Sequence, residues 1–354
     1  MGSARAILAF LLILAAPCYA PSEVDTFWRK TQKGKTLADR IDRASLSLLG
    51  IPFLDAPLGE GPGAQYDQGP IFRFDGFDCT TFVETVLALA TSRKAEEFES
   101  RLRHIRYRGD TFTFTERNHF PDIDWIPHNT RSGLLTDVTA KIAEPWGVLP
   151  ATGVVNKKGW YAHLPLTAIR VEGLTEEQKI ARLAQLHREG ANLGQTVPAL
   201  SYIPLDKIIR RKTISEEERL RRLKEEDQIA LEVRERVRQP QSDDLDKEVH
   251  DTLVDKRLRY LLEDAEVDPA FLAAVPHAAV LNVVRPGWKI PGTALNISHQ
   301  GLVIRKKEGV YFRHVSKSGG RAKDVPLANY LRLCLLLPAI KGVNLLVANE
   351  SNAL

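Results

Sequence analysis

Cysteine is scarce in this chain, with 3 residues among 354, at positions 18, 79 and 334. No Cys-x-x-Cys pair and no His-Glu-x-x-His stretch occurs, so the usual zinc signatures are missing and no metal or other cofactor is expected. An arginine-rich arm is also missing. The net charge of +4 would help attract an acidic polymer but does not point to nucleic acid. No fixed-period repeat is present. Past the N-terminus, Leu331 to Leu337 is a further apolar run. Arg332 interrupts it, and Pro338 and Lys341 follow, so it fails as a membrane span. With 27% charged and 44% hydrophobic residues the composition is that of a folded protein rather than a disordered one.

What is present begins with Asp78-Cys79-Thr80-Thr81-Phe82-Val83-Glu84. Counting from Cys79, Phe82, Val83, Val86, Leu87 and Ala90 fall at helical spacing, so a helix starts at the thiol with Asp78 as its N-cap. A cysteine in a first helical turn lies among unpaired backbone N–H groups, which favours thiolate and makes a nucleophile. Free cysteines are also commonly buried as small hydrophobes, so partner residues must decide.

The segment Met1 to Ala20 carries Arg5, then the apolar run Ala6 to Ala16, then small residues, and reads as an export signal. Cleavage after Ala20 would leave Pro21 first; cleavage after Ser22 is the second choice, and the signal is taken as residues 1–22. Pro17 before Cys18 argues against lipidation. After removal only Cys79 and Cys334 remain. A disulfide is possible in an oxidising compartment, but both are expected free, with Cys334 in a buried strand.

Along the rest of the chain, Lys35 to Leu49 predicts an amphipathic helix, Ile51 to Pro70 a Gly/Pro-rich loop, and Phe98 to Asp110 a helix or strand. Thr111 to Thr115 alternates like a strand. Capping boxes at Thr175 and Ser215 open two further helices, the first carrying Ile180, Leu183, Ala184 and His187 on one face. The second is dense in charge, with Glu217–Arg221 and Glu218–Arg222 at i, i+4. Ala279 to Val284, Leu295 to Ile304 and Val310 to Ser316 predict strands, the last two joined by a turn at Lys306 to Gly309. Helix first and sheet last gives an α+β fold.

His299 and His314 lie on the two strands of that hairpin, and an even-numbered turn sets them opposite one another. One imidazole could then serve as base while the other orients it. A one-residue slip would part them.

These blocks resemble a known family. Phe77 to Thr85, Ile297 to Ile304 and Arg313-His314-Val315-Ser316 are similar to the three signature blocks of the N-acetylmuramoyl-L-alanine amidase-like branch of the NlpC-type, papain-like cell-wall hydrolases. Further similarity lies at Tyr66, at Glu116 to Phe120 with Asp124-Trp125, and at Tyr202-Ile203-Pro204. The resemblance implies a papain-like core with the nucleophile helix packed on an antiparallel sheet, spanning 23–354, with the charged helices of 211–268 as an insertion. It implies Cys79 as nucleophile, His299 as base and His314 as its orienting partner. Tyr66, Asp78, Arg117, His119 and Trp125 would line the substrate site. Arg117 suits a carboxylate and Trp125 a sugar face, although a salt bridge and a core aromatic are equally natural readings. Peptidoglycan or its fragments are the implied substrate, met in the periplasm or outside the cell. A stem-peptide endopeptidase and a non-catalytic wall-binding protein are the alternatives. Gln300 departs from the pattern, since many relatives carry a small apolar residue there.

Overall fold

The computed structural model describes residues 21–237, 256, 259–260 and 263–350. Residues 1–20 of the signal read at 1–22, Cys18 among them, lie outside the described residues, as do 238–255 of the charged segment. In chain order the elements are α1 Pro21–Thr31, α2 Leu37–Ser47, α3 Cys79–Thr91, α4 Phe98–Arg106, α5 Ile126–Arg131, β1 Leu135–Asp137, α6 Thr139–Ile142, β2 Leu149–Pro150, β3 Val155–Asn156, α7 Lys157–Ala162 and α8 Glu176–Gly190. There follow β4 Gln195–Thr196, β5 Ser201–Pro204, α9 Leu205–Ile208, β6 Ile209–Arg211, α10 Glu216–Val237, β7 Ala265–Val267, α11 Pro269–Ala274, β8 Val280–Ile290, β9 Thr293–Lys306, β10 Gly309–Val315, β11 Ala322–Pro326, α12 Leu327–Cys334 and β12 Gly342–Ala348.

The main sheet runs β11-β10-β9-β8-β12-β5-β2, with β1 also on β12, and every pairing is antiparallel. It is an α+β architecture. One face carries α1 to α4 over a core of Phe77, Phe82, Val86, Leu102, Leu302 and Ile304. The other carries α9, α11 and α12 over Leu281, Val303, Phe312, Leu327 and Leu331.

Local chemistry explains the elements. Asp78 caps α3 reciprocally with Thr81, and Thr36 does the same for α2 with Asp39. Residues 81–90 of α3 are all buried, which suits a helix apolar on nearly every side and enclosed by α2, α4 and β9. Lys306 pairs with Gly309 across the two-residue loop Lys307-Glu308, as the sequence suggests. β8 runs past Pro286 because the β8–β9 register is irregular there and Gly287 adopts φ 70°.

Three expectations fail. Thr111 to Thr115 is not a strand: no neighbouring strand pairs with it, and it ends in a 3-10 turn at Phe114–Glu116 with Phe114 packed on Tyr66 and Tyr161. Leu331 to Leu337 is not a strand either. Leu327, Leu331 and Cys334 share the buried face of α12, while Leu336 and Leu337 are exposed. On α8 the buried positions are Leu186 and Gly190, with Leu183 against them, and Ile180 faces solvent.

Strands β6 and β7 pair with each other, so the charged segment leaves and rejoins the fold at one neck. Along α10, Glu218 bonds Arg221 and Arg222, and Arg222 reaches Asp264. Arg221 pairs with Glu218 and Glu225 rather than with Glu217.

Candidate active site

Cys79 is the first residue of α3, half-buried and free, and Cys334 is likewise free. The Asp78 carboxylate accepts from the Thr81 N–H at 2.8 Å, while the Asp78 N–H donates to Thr81 Oγ1 at 3.0 Å. Contrary to the sequence reading, the thiol is not acidified. Burial, then the Asp78 charge, push it up to about 11, against the pull of the Gln300 and Thr80 N–H groups. A helix start contributes about 0.3–1 kcal/mol, less than one unit of pKa, and desolvation outweighs it. Alkylation of Cys79 by iodoacetamide is therefore expected to be slow at pH 7 and to climb steadily up to pH 10. A plateau below pH 8 would contradict this environment.

His299 on β9 and His314 on β10 meet: Nε2 of the first lies 2.8 Å from Nδ1 of the second, with the rings 5.0 Å apart at 86°. They are diagonal rather than opposite, because the register ends with Arg313 across from Leu302, which sets His314 beside Gly301. The two-residue offset keeps both on one face. Gly301 is required here, since a Cβ would stand 2.6 Å from the Phe312 ring. Phe312 stacks on His314, and Tyr330 of α12 closes over Phe312, His314 and His299 at 4.5, 5.3 and 6.3 Å between centroids.

Burial holds His299 down to about 3 and His314 down to about 4, so both are neutral near pH 7. For His299 Nδ1 to accept a proton, its Nε2 must donate to His314 Nδ1. The proton of His314 then sits on Nε2, which is buried and has no partner among the described residues. An unfolded histidine protonates near 6.5, so stability is lost as pH falls from there toward 4.

The start of α3 meets β9 at Gln300, where β9 has passed beyond its pairing with β10. The Thr80 hydroxyl donates to Gln300 Oε1 at 2.8 Å and stands 3.9 Å from Cys79 Sγ. Cys79 thus adjoins the residue that follows His299. Tyr330 borders the imidazoles. Among the described residues no hydrogen bond joins the sulfur to an imidazole.

A cavity of about 200 Å³ opens beside Asp78 and Thr80, lined further by Glu84, Arg106, Arg117, Asn118 and His119. Arg117 bonds Glu60 and Asp67, and Asp67 also binds Arg170. His119 Nε2–H donates to the Phe114 carbonyl, 2.7 Å away, and burial lowers the proton affinity of the ring. The other two expected wall residues lie elsewhere. Trp125 is fully buried and donates to Glu84, the core-aromatic reading. Tyr66 is buried against Phe114 and donates to Glu189 at 2.5 Å on α8, away from the cavity. Tyr330, Glu84 and Arg106 were not found from sequence. Glu84 had a readable signal, since a carboxylate on a helix otherwise buried demands a cation.

Among the described residues no helix is long and apolar enough to cross a membrane. The chain belongs to the N-acetylmuramoyl-L-alanine amidase-like (AmiA-like) family, whose model matches residues 43–246 and 232–334. It is 30% identical to a Legionella pneumophila str. Philadelphia 1 protein of family DUF1460, over 93% of this chain and 94% of that one, with a TM-score of 0.73. A Bacteroides uniformis N-acetylmuramoyl-L-alanine amidase shares the fold at 16% identity and TM-score 0.50, over 92% and 99% of the two chains. No curated protein sequence matches.

Proposed function

We propose that the protein is an exported cysteine amidase of papain-like, NlpC-type architecture that hydrolyses the bond between N-acetylmuramic acid and the first L-alanine of peptidoglycan fragments. The signal is residues 1–22, the amidase domain 23–354 and the insertion 211–268. The observation that supports the reading is the free Cys79 at the start of α3, held through Thr80 to Gln300, the residue after His299 of the bonded His299–His314 pair, in a chain of this family.

His299 takes the Sγ proton as the sulfur adds to the amide carbonyl. A thiolate raises the proton affinity of a neighbouring imidazole and an imidazolium lowers that of the thiol, so the two groups ionise together. Backbone N–H groups at the start of α3 receive the oxyanion. The C–N bond breaks as His299 returns the proton to the alanine nitrogen, leaving a thioester on Cys79. Water, deprotonated by His299, then frees the muramic carboxyl and restores the thiol. His314 holds the His299 tautomer throughout, and Arg117 and His119 border the substrate.

Mass-resolved digestion of purified muropeptides tests the reading. Free stem peptide together with peptide-free sugar is expected. A shortened stem still attached to sugar would assign the enzyme to stem-peptide cleavage, and binding without any product would make it a wall-binding protein.

A further inference from the structure

Each proposed catalytic residue is followed in the chain by a residue bonded to the other's follower: Thr80 after Cys79, Gln300 after His299, joined by the 2.8 Å hydrogen bond. That bond begins a longer line. Gln300 Nε2 donates to Asn282 Oδ1 at 2.7 Å, Asn282 Nδ2 to Asn344 Oδ1 at 2.9 Å, and Asn344 Nδ2 to Asp137 Oδ2 at 2.9 Å, with Thr139 Oγ1 and Ser201 O also within reach. Gln300, Asn282 and Asn344 sit directly across from one another on β9, β8 and β12, and each is 0% exposed. Three amides in register inside a sheet are costly unless every polar group is satisfied.

The direction of the line is fixed from its far end. A carboxylate and a main-chain carbonyl only accept, so Asn344 must turn its NH₂ toward Asp137 and Ser201 and its oxygen toward Asn282. The same orientation passes along Asn282 to Gln300, whose oxygen is left to accept from Thr80. The Thr80 hydroxyl hydrogen is thereby committed to Gln300.

We infer that Thr80 and Gln300 position the nucleophile: the line from Asp137 to Thr80 clamps the start of α3 to the strand carrying His299 and sets the distance between sulfur and imidazole. This rests on the cysteine reading above. Neither residue need touch substrate.

Thr80→Val removes the hydroxyl at nearly constant shape. Misplacing reacting groups by about 1 Å can cost roughly 10²-fold in rate, so kcat is expected to fall about 10- to 100-fold with KM unchanged, while the melting temperature drops by only a few degrees as the buried Gln300 oxygen loses its donor. Thr80→Ser keeps the donor and is expected to restore kcat. If Thr80→Val does not fold, Thr80→Ala gives the same comparison. Unchanged kcat in the hydroxyl-free variant, with Cys79→Ala inactive in parallel, overturns the positioning role alone. Activity in Cys79→Ala overturns the cysteine reading itself. A matched fall in kcat and melting temperature, not rescued by Thr80→Ser, reduces the line to a structural one and rejects the inference.

Discussion

Cys79→Ala is expected to abolish amide hydrolysis, with a loss on the order of 10⁴-fold or more in kcat and no change in melting. The sulfur is half-buried at the first position of α3, and the stronger bonds around it run elsewhere: Asp78 to Thr81, Thr80 to Gln300. Its removal gives up only weak contacts with a sulfur acceptor, the Thr80 hydroxyl at 3.9 Å among them. His299→Ala should be about as severe, because without that imidazole nothing at the site takes the proton of a thiol held near 11. The double variant should be hardly worse than either single one, since groups acting as a unit do not add. His314→Ala should cost less, about 10²- to 10⁴-fold, because it orients the base without taking the proton. Product release followed by mass spectrometry, with thermal melts on the same samples, separates lost chemistry from lost fold. Residual turnover in Cys79→Ala near that of the unaltered protein would sink the mechanism.

The second large effect concerns stability. Arg106 and Glu84 are joined at 2.8 Å with both side chains 4% exposed, and Trp125 and the Ile71 carbonyl complete the group at 3.1 and 2.7 Å. Arg106→Met strips the carboxylate of its cation and is expected to cost about 3–5 kcal/mol. Burial already raises the proton affinity of Glu84, and loss of Arg106 must raise it further. A folded carboxyl with raised pKa binds a proton that the unfolded chain has released. The variant is thus relatively most stable at low pH and loses ground as pH rises from about 4.3 through the folded value. Thermal melts should show a smaller deficit at pH 5 than at pH 8, and Glu84→Gln added to Arg106→Met should recover part of it. A deficit that grows toward acid would contradict the burial argument.

Much of the site was legible because it is local. The Cys79 helix announces itself by apolar spacing and an Asp cap within a few residues, and the hairpin by two alternating runs around Lys306 to Gly309. What depended on distant partners was not. Alternation at Thr111 to Thr115 had no strand to pair with. The apolar run at Leu331 fits strand and helix alike until Leu327 adds a turn. Trp125 looked like a sugar platform and proved to be the hydrogen-bond donor of a carboxylate 41 residues away. Tyr66 was drawn off by Glu189, 123 residues further on.

The amino-acid order alone nominated Cys79, His299 and His314 as candidates and set the elements that carry them, since capping and periodicity act over three or four positions. Only the tertiary structure decided how those residues are tuned. Burial raises the thiol, a diagonal register unites the imidazoles, and a line of amides across three strands ties Thr80, after Cys79, to Gln300, after His299. The bond from Thr80 to Gln300 spans 220 residues and that from Asn282 to Asn344 spans 62, well beyond the three or four positions over which capping and periodicity act.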